Sequence, residues 1–184
     1  MDFKSFIILI IIIAGAIGVW IGLTISNQLN QPVESKATFD PLNTAYIIEG
    51  ESFELTEGKS EKEIAPGSAT KIKTSVLGKA AIGDLNSDGA DDAALVLVHD
   101  PEGSGTFFYV AAALQNRENG QAVGTNAVLL GDRIIPQNIS IYKGAVEINY
   151  ADRKQDEPMS TRPSVAMTKY LIIDGTTLIE ISTP

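Results

Sequence analysis

The sequence predicts an all-β fold: a single antiparallel-sheet or sandwich-like domain placed behind one N-terminal transmembrane helix. Three observations predict it. Past Asn43 the apolar runs are short and separated by turn-forming residues. One run, residues 145–150, alternates strictly, with Val146, Ile148 and Tyr150 on one face and Glu147 and Asn149 on the other. That is the two-residue period of a half-buried strand. The long apolar stretch stands apart from all this, at the very start of the chain.

That stretch, Phe6 to Ile25, reads FIILIIIIAGAIGVWIGLTI, with no charged residue between Lys4 and Glu34. Twenty helical residues at about 1.5 Å each cross the ~30 Å hydrocarbon core. Thirteen of them are Ile, Leu, Phe or Val, which favours insertion by roughly 4–8 kcal/mol. Residues 1–26 are therefore expected to be a signal anchor in the cytoplasmic membrane. Lys4 holds the N-terminus in the cytoplasm and sends the rest outside, to the periplasm or the extracellular space. A cleaved signal peptide is the rival reading, since Thr24 and Ser26 are small, but its apolar region usually spans about 7–15 residues. Ala14, Gly18 and Gly22 recur every fourth residue, a face suited to a helix-mediated homodimer.

Residues 27–42 are polar, aperiodic and broken by Pro32 and Pro41, and predict a flexible tether. The domain is expected over 43–184. Asn119-Gly120, Lys143-Gly144 and Asp174-Gly175 sit between candidate strands and predict tight hairpins. Ala93–Val98 and Phe107–Leu114 are apolar on both faces and predict central strands. Ala111–Leu114 alone is compatible with a helix start, but the preceding Phe-Phe-Tyr-Val favours strand. Residues 151–164, with two prolines and no period, predict a long loop before a strand at 165–173.

The chemistry lies in residues 84–92. Counting from Asp84, oxygen-bearing side chains fall at positions 1, 3, 5 and 9 (Asp84, Asn86, Asp88, Asp92), with Gly89 at position 6. Alternate side chains of a tightly curled loop converge on one centre, and the Ala90 carbonyl at position 7 completes the arc. A hard cation of calcium's size takes 6–8 oxygens at about 2.3–2.6 Å. An EF-hand would place a bidentate Glu at position 12, where this chain has Leu95, followed by a strand-forming run and not a helix. The expected site is strand–loop–strand, holding a structural Ca2+, with Asp91 turned to solvent or a neighbouring strand. A metal-free acidic turn and a different ion are the alternatives. Several acids within nine residues make the metal-free turn costly, because without a cation they repel one another.

The segment GDLNSDGADDAALV, residues 83–96, resembles the calcium loop of FG-GAP repeats, as in integrin-type propellers, and less closely dockerin loops. The resemblance implies metal ligands at Asp84, Asn86, Asp88, Asp92 and the Ala90 carbonyl. It covers about fourteen residues and one copy, so it implies the loop and not a propeller. From Asn43 onward the chain also resembles small bacterial membrane-anchored envelope proteins of unassigned function. The likeness rests on an IxG start, the single loop, a GSGTF-like turn (Gly103–Phe107) and an LLGDR-like segment (Leu129–Arg133). It implies the compartment and the β fold, and no activity.

Composition excludes several classes. The net charge of −9 falls entirely after residue 26, where a polyanion is repelled, so nucleic acid is not an expected partner. With no cysteine there is no disulfide, thiolate site or lipoprotein anchor. His99, the single histidine, reads as a strand-end residue and not as the base of a triad. Gly103–Thr106 lacks the Lys and helix of a phosphate loop. Asp132 and Arg133 read as a local ion pair. The expected function is non-enzymatic: a membrane-tethered binding or scaffold module for a protein or cell-envelope partner. An envelope hydrolase using two carboxylates and an accessory subunit of a membrane complex are the competing readings.

Overall fold

The computed structural model describes residues 38–103 and 105–183. The transmembrane helix expected over 1–26 lies outside the described residues, as does most of the expected tether. The described residues are all strand, turn and loop. In chain order the strands are β1 (Ala45–Ile48), β2 (Glu51–Glu54), β3 (Lys59–Glu63), β4 (Lys71–Gly83), β5 (Asp92–Asp100) and β6 (Phe107–Gln115). They continue with β7 (Ala122–Gly124), β8 (Val128–Asp132), β9 (Ile135–Tyr142), β10 (Ala145–Asp152), β11 (Val165–Asp174) and β12 (Thr177–Ile181).

The fold is all-β with antiparallel pairing between all the named strands, as expected. Of the two expected arrangements, one sheet or a sandwich, the strands depart from the first by forming three sheets. A central sheet runs β3-β4-β5-β6-β7, with β8 also on β6; a second runs β12-β11-β10-β9; β1 and β2 form a separate hairpin. The reason lies in β5 and β6. Both are apolar on their two faces, so each face needs a cover.

On one face, Ala94, Val96, Val110, Ala112 and Leu114 pack against Val146, Ile148, Tyr150, Leu171 and Leu178 of the second sheet. On the other, Ala93, Leu95, Leu97, Tyr109, Ala111 and Ala113 pack beneath Tyr46, Ile48, Phe53 and Leu55 of the hairpin. Ala111–Leu114 is strand, paired with β5. The alternation of 145–150 is realised as expected, with Val146, Ile148 and Tyr150 buried in the inter-sheet core.

The Lys143-Gly144 turn links β9 and β10 with positive φ at both residues, +50° and +76°. At the next hairpin the turn falls one residue later than expected. Asp174 pairs with Thr177, leaving Gly175-Thr176 as the two-residue connection. Asn119-Gly120 belongs to a longer turn closed by Asn116, whose amide donates to the Gln121 carbonyl at 2.8 Å. Residues 39–42, assigned to the tether by composition, join the domain. Phe39 packs on the outer core, and the Tyr46 hydroxyl donates to the Pro41 carbonyl at 2.7 Å.

At one side of the two main sheets, Asn126 acts as a clip. Its side chain donates to the Leu178 carbonyl at 2.9 Å and accepts from the Leu178 amide at 2.8 Å, giving edge strand β12 a partner. The opposite side is shaped by an irregularity in β4, whose register on β5 jumps between Leu77 and Ala81. Gly78 and Lys79 bulge outward there, and such a bulge with an exposed lysine is a common guard against edge-to-edge pairing.

Candidate metal loop

Gly83 and Asp92 pair directly, so residues 84–91 form the connection of the β4–β5 hairpin. The strand–loop–strand arrangement expected from sequence is therefore present. Leu85 is buried in the inter-sheet core and anchors the near side of the loop. Gly83 sits so close to Ile141 of β9 that an added Cβ would meet its Cγ2 at 3.0 Å. The loop thus rests on the second sheet at its base, while its tip, Asn86 and Ser87, is exposed.

Inside the loop the acids curl the backbone around themselves. The Asp84 carboxylate accepts from the Asp88 amide at 3.2 Å and the Gly89 amide at 3.0 Å. Asn86 Oδ1 accepts from the Asp88 amide at 3.0 Å, and Asp88 Oδ1 from the Ala90 amide at 2.7 Å. Asn86 Nδ2 donates to Asp88 Oδ2 at 3.1 Å. Ser87 and Gly89 both take positive φ, +61° and +82°, which turns the chain twice within three residues. Gly89 suits that conformation because it has no Cβ to clash with its own carbonyl.

Asp92 plays a different part. It is wholly buried, and each of its oxygens accepts a backbone amide: Leu85 at 2.9 Å and Gln115 of β6 at 2.8 Å. It ties the start of the loop to its end and both to the neighbouring strand. Burial pushes its carboxyl above the usual carboxylate range, the two amides pull it back, and the charges of Asp88 and Asp84 push it up again. Asp91 is exposed, as expected.

The structure thus brings Asp84, Asn86 and Asp88 together and sets Asp92 behind them, close enough to feel their charge. The donors are all oxygen, the chemistry a hard divalent cation requires. Among the described residues, no three side chains of the Asp, Glu, His or Cys type meet at a single metal-sized point. The oxygens hold loop amides instead. The Asp84 and Asp92 oxygens, each accepting one amide, retain a second lone pair. Among the described residues, the five ion pairs also leave out every acid of this loop.

The other sequence candidates have structural partners. Asp132 and Arg133 form the expected ion pair at 2.9 Å. The Arg133 hydrogen bonds hold the Asp132 carboxyl below its usual range. The same carboxylate accepts the Thr106 amide at 2.8 Å, so the GSGTF-like turn and the LLGDR-like segment are neighbours in space. Arg153, which sequence reading missed, donates to the carbonyls of Thr161 at 2.5 Å and Arg133 at 3.0 Å, fastening the loop after β10. Its contacts span 8 and 20 residues, so no local pattern marks it.

Two grooves open on the surface of the described residues. One, about 490 Å³, opens between the β4 bulge and β9; its walls include Leu77, Val96, Ile139 and Ile148, and no carboxylate lines it. The other, about 590 Å³, lies by β1 and β7 and includes Asp40 and Glu54. Asp40 caps a turn there, accepting from the Leu42 amide and from Asn43 Nδ2.

The chain matches no protein-family model, no curated protein and no solved structure.

Proposed function

We propose that the chain is a membrane-tethered binding or scaffold module, presented outside the cytoplasm, whose 84–92 loop takes up a calcium ion that stiffens the domain. The observation that carries this reading is the gathering of oxygen donors: Asp84, Asn86 and Asp88 are hydrogen-bonded within one short loop, with buried Asp92 at its end. Burial disfavours the ionisation of Asp92, and the charges of Asp88 and Asp84 add to that. A divalent cation among the oxygens of Asp84, Asn86, Asp88 and Asp92, with the Ala90 carbonyl, would offset the repulsion between these carboxylates. The compartment rests on the anchor expected over residues 1–26, and it suits the weak affinity usual in extracellular calcium modules, with Kd of about 10⁻⁴–10⁻³ M.

An ion that binds only the folded form stabilises it by about 2.7 kcal/mol at a hundredfold excess over Kd. Excess calcium is therefore expected to raise the Tm of the chain by several degrees, and chelation to reverse the rise. Asp88→Ala should abolish the response while leaving the calcium-free protein folded, because the hydrogen bonds of the Asp88 side chain stay within its own loop. A melting curve indifferent to calcium would remove the loop from the functional account.

A further inference from the structure

We propose that His99 is an acid-sensitive latch: it seats the β1–β2 hairpin on the central sheet and loosens that hairpin when its imidazole becomes doubly protonated. His99 lies near the end of β5, only 7 % exposed, under the edge of the hairpin. Its ring meets Phe53 of β2 edge-on, with centroids 5.0 Å apart and planes at 78°. It meets Tyr109 of β6 in the same manner at 6.0 Å and 90°. Its Nδ1 lies 3.0 Å from the hydroxyl of Thr74 in β4, itself 2 % exposed. One ring thus touches three strands in two layers.

The charged groups facing this ring come from every element around it. Glu49, in the β1–β2 turn, accepts from the Tyr109 hydroxyl at 2.8 Å. Glu51 of β2 is ion-paired to Lys62 of β3, whose ammonium also stands 5.2 Å from the Phe53 ring centroid. Asp100 follows on β5, opposite Lys73 of β4, and Lys73 pairs with Glu102 at 3.2 Å. The acids Glu49, Asp100 and Glu51 favour the imidazolium, but burial opposes it more strongly and holds the ring below the usual histidine range. The folded domain therefore binds this proton less readily than the unfolded chain. The stability His99 contributes is complete above the ordinary value of about 6.5 and is lost as the pH falls from there toward the folded value.

The hairpin is the element that yields. A two-stranded hairpin is marginal by itself, and this one holds its place through a small set of contacts. These are its apolar face, the Glu49–Tyr109 bond, the Glu51–Lys62 ion pair, and amide bonds from Ile47 to Thr125 and from Ala127 to Ile47. The second sheet, on the far side of β5 and β6, has no contact with His99 among these. Local opening proceeds by small structural units, and the hairpin, a two-stranded sheet separate from the two main ones, is such a unit.

His99 is the only histidine, so one imidazole signal reports its titration in the full chain without assignment by mutation. That titration, together with hydrogen exchange at pH 7 and pH 5 corrected for intrinsic rates, tests the latch. The expected result is a midpoint below 6.5, with loss of protection in β1–β2 on acidification and none in β10–β11. His99→Gln, which keeps a partner for Thr74 without titrating, should show the same β1–β2 protection at both pH values. A midpoint at or above 6.5, β1–β2 protection unchanged between the two pH values, or an equal loss in His99→Gln each overturns the proposal. Should the variant fail to fold, the titration and exchange of the unmodified chain still decide it.

Discussion

Asp92→Ala is expected to destabilise the domain by about 2–6 kcal/mol, read from chemical denaturation in the absence of calcium. The change strands two backbone amides, the buried one of Leu85 and the part-buried one of Gln115, that have the Asp92 oxygens as their partners, at about 1–3 kcal/mol each. Against this stands the cost of the buried charge itself. Because burial raises its folded pKa, the Asp92 carboxylate carries a penalty at neutral pH that is relieved as the pH falls through the raised value. Asp92→Asn removes that pH-dependent component but offers one acceptor oxygen for two amides, so it should fall between the parent and Asp92→Ala. A loss under 1 kcal/mol in Asp92→Ala would mean that the loop ends are held by something other than this carboxylate.

Gly124→Ala is expected to be of similar severity, about 3 kcal/mol or more, for a purely steric reason. A Cβ at this β7 position would stand 2.1 Å from the Ala45 carbonyl oxygen and 2.9 Å from Tyr46 Cδ1. Both neighbours are poor at moving: one is backbone, the other a fully buried ring. Overpacking usually costs about 1–3 kcal/mol when side chains can adjust; here β1 must shift as a unit. Thermal melting should show the loss, and hydrogen exchange should place it at β1–β2 and β7. A near-normal Tm would show that β1 is seated less tightly than described.

The strands were legible where a two-residue period or a two-sided apolar run is written locally. Val146, Ile148 and Tyr150, and the runs at Ala93–Val98 and Phe107–Leu114, needed nothing beyond themselves to be read. The β1–β2 hairpin was not read, because its turn is Glu49-Gly50 and glutamate at φ +52° is not a residue that advertises a tight turn. A sandwich-like layering was among the expectations, but the assignment of strands to three sheets was not legible, since it depends on which face of β5 meets which partner across dozens of residues.

The loop of 84–92 was legible in its spacing, its strand flanks and the exposure of Asp91. The double attachment of Asp92 was not, because Gln115 lies 23 residues away and contributes only an amide that every residue possesses. His99 read as a strand-end residue, and its place between Phe53 and Tyr109 depends on pairing that no local pattern encodes. Asn126 and Arg153 hold distant carbonyls in the same way.

Whether the loop gathers a cation is settled most directly by calorimetric titration of the purified chain with calcium at neutral pH. The account predicts one saturable site per chain with Kd of about 10⁻⁴–10⁻³ M, absent in Asp88→Ala. No saturable binding at millimolar calcium, or identical binding by the variant, would contradict it.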